Sequence, residues 1–395
     1  MHTATTIVLI RVADVAPESA KDAANRAVAD VKAQGAAHGA AGAADVAGAA
    51  GAAVAFASEA RHAAKQWEAT VEHLHAQLSM LNASGTRVSL EAVDTSLDEC
   101  RLCAAAFAAA TQTHTTRMAT PDGGYRNVDT RHVDAQMLAQ WLRRFRDELP
   151  GLHERPNVPG ERIVPVLVYA LAGSPPVLLD QSHVAKPFED FVLAVQTRPP
   201  PNAHSADAPS AAWLPLDEHC VSSRGRQILA LDASDLARPL LGALLQTGWG
   251  VAPSHVAWSR AHNASVPNLL WSVGRTPFGP YSDSSELSFA LVDAAARTPL
   301  YAVASEVVRD VQALRDYFRE FNQQLDDVLT PQEHLPFLRR LNVLSFKLQR
   351  ARSYLSLQSF KLARYYVLST WHDLRAMRKV LEGASSALRS SLVCE

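Results

Sequence analysis

Three short runs of almost unbroken apolar residues constrain this chain most: TTIVLIRV (5–12), RIVPVLVYAL (162–171) and FVLAVQT (191–197). Each is rich in Val, Ile and Leu and ends at polar or turn-forming residues, the pattern of a strand inside a sheet. Shorter runs, PPVLLD (175–180) and RQILALD (226–232), have the same character. NLLWSVG (268–274) and ELSFALVDAAA (286–296) read as two further strands, joined by a connection rich in Pro and Gly.

Helical spacing separates and follows these runs. In 57–81, Trp67, Val71, Leu74 and Leu78 recur at intervals of three and four. A helix is expected over 95–111, with Thr95 or Ser96 as its N-cap, and another over 132–149, ending at Pro150-Gly151. A short one covers 232–250, where Pro239 bends it or marks a restart. The segment 120–130 is expected to be loop, and the Pro/Ala/Ser stretch 199–213 a surface insertion. Beyond 300 the pattern is helical throughout. One helix spans 305–329, and TPQEH (330–334) starts the next with Thr330, Pro331 and Glu333 in capping-box spacing.

The fold expected is therefore α/β (α+β): a helix-rich N-terminal region, a central mixed β-sheet domain with flanking helices, and a C-terminal helical hairpin or bundle. At 395 residues two or three domains fit. The pattern places them at 1–160, which contains an Ala/Gly-rich tract at 36–58, then 161–300 and 301–395.

A 48 % hydrophobic fraction with 20 % charged residues supports a buried core, although the abundant alanine inflates the count. The net charge of −2 gives no case for nucleic acid as a partner. Residues 331–395 differ, with eleven Lys and Arg against four acids, a net of +7. Such basic helices suit a solvated face, a partner helix or an anionic membrane surface. No stretch of 18 strongly apolar residues occurs. The start of the sequence does not read as a signal peptide, because the apolar core Ile7–Ile10 is short and Arg11 interrupts it.

Chemistry-bearing motifs are sparse. Cys100-Arg-Leu-Cys103 is a C-x-x-C, which puts two thiols on one helical face. The cysteines are expected several residues inside the 95–111 helix, packed as small apolar residues. No second ligand pair accompanies them, and the histidines show no metal-ligand spacing, so neither metal nor cofactor is expected. There is no G-x-S-x-G elbow and no phosphate-binding loop. Asn82-Ala-Ser84 and Asn263-Ala-Ser265 are glycosylation triplets, relevant only in a secretory lumen.

The densest constellation lies in 246–283, where Trp249, His255, Trp258, Arg260, Trp271, Arg275, Phe278 and Tyr281 are interleaved with Gly and Pro. Aromatic rings and arginines on rigid loops are the usual anchors of recognition surfaces, and they fill cores equally well. PVLVYAL, LLDQSHVAKPFEDFVLAVQT, ARPLLGALLQTGWGVAPSHVAWSRAHN and WSVGRTPFGPYSDSSELSFALVDAAAR resemble, in this order, a plant and green-algal family built around a domain of unknown function. The resemblance spans about residues 130–310 and is most specific from Leu245 to Tyr281. It implies a secretory-pathway or endomembrane-lumen protein with a signal peptide and a membrane anchor. Neither segment is legible in these residues. It implies no catalytic residues.

The expected function is a non-catalytic binding or scaffold protein of the secretory pathway that meets a protein or glycan through the 246–283 surface. Membrane association would come from an anchor or from the basic helices. Two alternatives stand beside it. One is an enzyme whose His255, Arg275 and Asp180 converge on a pocket. The other is a structural subunit that docks through its basic helical tail.

Overall fold

Strand β1 (Ala4–Ala13) is buried at nine of its ten positions. A strand covered on both faces belongs inside a parallel sheet flanked by helices. A computed structural model of the chain has this arrangement. It describes residues 4–14, 62–81, 87–119, 125–153, 155, 161–172, 177–180, 183–198, 213–215, 230–232, 236–251, 256–259, 264–267, 286–320 and 329–391. β1 pairs in parallel with β2 (Arg87–Ser96) on one side and with β5 (Glu161–Ala172) on the other. β8 (Val192–Arg198) continues the parallel sheet from β5, and β7 (Ala185–Pro187) closes that edge antiparallel. The order is β2-β1-β5-β8-β7.

Helices cover both faces. Val8, Ile10 and Val12 join Tyr169 and Leu171 of β5, and Leu193 and Val195 of β8, in one core. That core also takes Cys103 and Ala106 of α2 (Arg101–Ala110) and Leu138 and Leu142 of α3 (Ala135–Arg144). On the opposite face Arg11 lies 5.8 Å from the ring of Trp67, in α1 (residues 62–79). Trp67, Leu74 and Leu78 are buried at the spacing that marks this helix in the sequence. α4 (Ala237–Trp249) is tied to the sheet by Arg162, whose guanidinium donates to the carbonyls of Thr247 and Gly248. Pro239 sits in the first turn of α4, where a backbone N–H has no intrahelical acceptor to lose.

Several local expectations change. Ser96 caps only the turn that precedes the helix, and the cap of the helix itself is Cys100. Ser96 ends β2 opposite Ala13, so the ladder holds its backbone extended and the next helix starts only at Arg101. The loop expected over 120–130 is shorter, because β3 (Thr111–Ala119) and β4 (Tyr125–Val133) form an antiparallel hairpin. β-branched threonines favour the strand here, and they carry no apolar alternation to announce it. β6 (Leu178–Leu179) pairs with the end of β4. Helix α3 starts at 135 rather than 132, because Asp134 is its cap and accepts from the N–H groups of Gln136 and Met137, each at 2.9 Å. Two small ribbons complete the strands among the described residues: β9 (Trp213–Pro215) with β10 (Ala230–Asp232), and β11 (Val256–Ser259) with β12 (Ala264–Pro267).

The chain divides into two compact units, one built mainly from residues up to 288 and the other mainly from Phe289 onward. The first unit crosses the division expected at residue 160, since β1 and β5 pair over ten residues from either side of it. The segment 286–296 is not a strand. Helix α5 (Phe289–Glu320) begins there and runs on through Pro299.

Helices α6 (Pro331–Ser356) and α7 (Phe360–Ser391) form the expected hairpin. Glu333 accepts from both the N–H and the hydroxyl of Thr330, at 3.2 and 2.8 Å, which fixes the start of α6. Along α7 the buried Ala363, Val367, Thr370, Leu374, Met377, Leu381 and Ala384 alternate by four and three as in a coiled-coil seam. Phe337, Leu344 and Ala351 of α6, and Leu300, Val307 and Leu314 of α5, recur at intervals of seven in the same core. Asp373 is buried in this unit and bonds to Arg340 and Lys347 of α6.

Candidate functional site

The topology singles out one edge of the sheet. From β1 the chain crosses to β2 on one side and later returns to β5 on the other. Side chains at the carboxyl ends of β1 and β5 therefore flank a topological switch point, where open α/β sheets bind ligands. Asp14, directly after β1, occupies it. Its Oδ2 accepts from the N–H of Ala172 at 2.6 Å, bridging the ends of the two strands. Burial pushes the Asp14 carboxyl above the usual carboxylate range, while the Ala172 N–H and the charge of Arg198 at the end of β8 act against that rise.

The end of β2 carries the second feature. The N–H of Leu97 donates to the carbonyl of Ala13 at 2.9 Å, which turns the chain over the end of β1. Glu99 and Ser96 bond reciprocally, the Ser96 N–H to Oε2 at 3.1 Å and the Glu99 N–H to Oγ at 3.3 Å. Cys100 is the N-cap of α2, its sulfur accepts from the Cys103 N–H at 3.2 Å, and the two cysteines form a disulfide. The pair thus stands at the mouth of the helix and not several residues inside it, because β2 runs three residues further than its sequence pattern indicates.

Both cysteines are buried, as expected, Cys100 at 7 % and Cys103 at 0 % exposure. Tyr169 of β5 lies against the pair, donating from its hydroxyl to the Cys103 carbonyl at 3.3 Å. Its ring packs on Phe107 with centroids 4.7 Å apart. Burial pushes the Tyr169 phenol well above its ordinary range and keeps it neutral. Chemically, this edge offers a two-electron redox couple and a carboxyl group held at a cost.

Other groups singled out by sequence fall elsewhere. Asp180 has a structural role: with a φ of 45°, it accepts from the Ala135 N–H at the start of α3 and pairs with Lys186. Trp249 is 4 % exposed, so its ring is interior rather than surface. Trp258 lies in β11, opposite Ser265 of β12. His255, Arg260, Trp271, Arg275, Phe278 and Tyr281 lie outside the described residues, as do Asn82 and Asn263. Among the described residues no three His, Cys, Asp or Glu side chains gather as for a metal ion. No described helix is long and apolar enough to cross a membrane.

Asp14 is a site residue that sequence reasoning passes over. Its signal is an apolar run that ends in an acid, VLIRVAD, at a strand terminus. No family model matches this sequence, and no curated protein matches it.

The helical unit presents a different kind of site. α5 and α6 each pack along α7 and hardly against one another. The gap between them is a groove of about 370 Å³, lined by Val311 of α5 and by Leu341, Leu344, Ser345, Leu348, Gln349 and Arg352 of α6. Tyr301 and Val308 on α5 are more than half exposed. Val311 and the three leucines make most of the lining apolar; Ser345, Gln349 and Arg352 are its polar members, and Arg352 supplies a positive charge.

Proposed function

We propose that the chain is a non-catalytic interaction protein of the secretory pathway, and that its basic helical unit docks a helix of a partner protein. The groove between α5 and α6 is the observation that carries this reading. Three helices of which two flank an open apolar groove leave the place of a fourth, and an amphipathic helix filling such a groove is a recurring recognition mode. The excess of lysine and arginine over 331–395 favours a partner helix bearing acids, with one of them set to meet Arg352. A disulfide between Cys100 and Cys103 accords with an oxidising lumen, as does the resemblance to secretory proteins. The aromatic and arginine-rich 246–283 segment is a second contact region in this proposal, for a protein or a glycan.

The test is site-directed photo-crosslinking in the source cell. A photo-reactive residue at Ser345 should crosslink one defined partner segment of helical, acid-bearing sequence, and the same residue at exposed Arg375 should not. Leu341→Glu should remove that crosslink while leaving the circular dichroism of the chain unchanged. No product at Ser345, or the same product from both positions, would sink the reading.

A further inference from the structure

We propose that Cys100 and Cys103 form a redox-active pair that undergoes thiol–disulfide exchange with small thiols or cysteine-bearing peptides, with Cys100 as the attacked and attacking sulfur. This goes beyond docking by the helical unit and does not depend on it.

Three independent observations carry the inference. The first is what the bond fails to do. It joins residues only three apart, at one end of a single helix, so it staples no two elements together. A disulfide constrains the unfolded chain least when its loop is this short. The second is location: the pair sits between β2 and α2 at the carboxyl edge of the parallel sheet, where βα connections present reactive groups.

The third is the asymmetry between the two sulfurs. Cys100 keeps 7 % exposure as a residue while Cys103 has none, so of the two cysteines Cys100 is the nearer to solvent. The Cys103 N–H points at the Cys100 sulfur from 3.2 Å, at the positive end of the helix dipole. A sulfur so placed is stabilised as a thiolate, the nucleophilic form. The neighbouring acid, Glu99, is turned toward Thr95 and the Ser96 N–H, and Arg101 between the cysteines is exposed.

The chemistry balances with two thiols as the reductant. A thiolate RS⁻ attacks Sγ of Cys100; the S–S bond breaks, and its electron pair leaves on the Cys103 sulfur, which takes up a proton. A second thiolate attacks the R-bearing sulfur of the mixed disulfide. RSSR departs, and the Cys100 sulfur is released with its electron pair and a proton from solvent. Two RSH have lost two electrons, and the protein has gained them with two protons. In reverse, the Cys100 thiolate attacks a disulfide of the client, and Cys103 resolves the mixed disulfide.

The full chain, folded in native buffer, is equilibrated with graded mixtures of reduced and oxidised glutathione. It is then quenched with an alkylating reagent, and Cys100 and Cys103 are read separately by peptide mass spectrometry. Both thiols should appear together in one reversible two-electron transition, with the circular dichroism of the fold unchanged. In the reduced protein Cys100 should alkylate about tenfold faster than Cys103. Cys103→Ala should hold glutathione on Cys100, while Cys100→Ala should hold none on Cys103. Reduction only after denaturant has unfolded the chain would overturn the proposal and leave a structural bridge. Equal labelling rates, or no disulfide in any mixture, would overturn it equally.

Discussion

Asp373 offers the most direct measure of what holds the helical unit in register. Its side chain is fully buried, at 0 % exposure, on a helix whose other buried positions are almost all apolar. Oδ1 accepts from Nη1 of Arg340 at 3.0 Å and Oδ2 from Nζ of Lys347 at 2.6 Å, while Nζ also donates to the Ser369 carbonyl at 2.8 Å. Two cations one helical repeat apart on α6 thus converge on one carboxylate of α7. Lys347 is the more buried of the two, and the Arg340 side chain remains 55 % exposed. Removing Lys347 leaves the buried Oδ2 without its partner while Arg340 still holds Oδ1, so Lys347→Ala should cost about 2–3 kcal/mol. Arg340→Ala should cost about 1 kcal/mol or less, because solvent screens that contact. Replacing both interior partners, as Asp373→Leu with Lys347→Met, should recover most of the loss, since an apolar pair of similar volume carries no desolvation penalty. The assay is urea denaturation of the full chain followed by far-ultraviolet circular dichroism, with Asp373→Leu and Lys347→Met also measured singly to close the double-mutant cycle. Costs under about 1 kcal/mol for Lys347→Ala, or additive effects in the double variant, would refute the argument, because a buried and coupled pair can show neither.

Three further outcomes follow from the sheet unit. Gly151 has a φ of +75°, and a Cβ there would meet Cγ2 of Val93 at 2.7 Å, so Gly151→Ala should cost about 2 kcal/mol or more in the same titration. Burial raises the folded-state pKa of Asp14, so its contribution favours the fold at low pH and is lost as pH rises through that raised value. Asp14→Asn should therefore raise the melting temperature at neutral pH and make little difference near about pH 3, where the carboxyl is protonated folded or unfolded; an equal shift at both pH values would show that charge is not the cause. Tyr169→Phe, which deletes the hydroxyl bonded to the Cys103 carbonyl, should cost about 1 kcal/mol and leave the disulfide intact by mass spectrometry.

How legible this was depended on whether local pattern or distant pairing decided the outcome. The runs at 7–10, 162–171 and 191–197 could be read as strands because burial on both faces leaves no room for polar residues. The Thr330–Glu333 start of α6 could be read because a capping box is complete within four residues. The β3–β4 hairpin was hidden, since TQTHTTRMA carries β-branched residues without apolar alternation. The register of β2 was hidden as well: nothing in VDTS says that Ala13 will pair with Ser96 and draw the strand on to the edge of the C-x-x-C motif. That single shift moves Cys100 from inside a helix to its cap, and with it the chemistry of the site. Asp14 drew no notice because an acid after a strand is ordinary; only the strand order makes its position unusual. The groove needed the packing of three helices, which no one helix encodes.

The place of β1 in the sheet has a consequence for how the protein is made. It is an interior strand that leaves the ribosome long before one of its neighbours: Thr6 and Glu161, which bond across the β1–β5 ladder, are 155 positions apart. At roughly 5–20 residues per second, the second neighbour arrives about 8–30 s after the first strand is exposed. Throughout that interval a row of Ile, Val and Leu with an open backbone edge is free to pair with other chains. A nascent chain ordered in this way depends on protection during synthesis, and slowing elongation between β2 and β5 should lower its soluble yield.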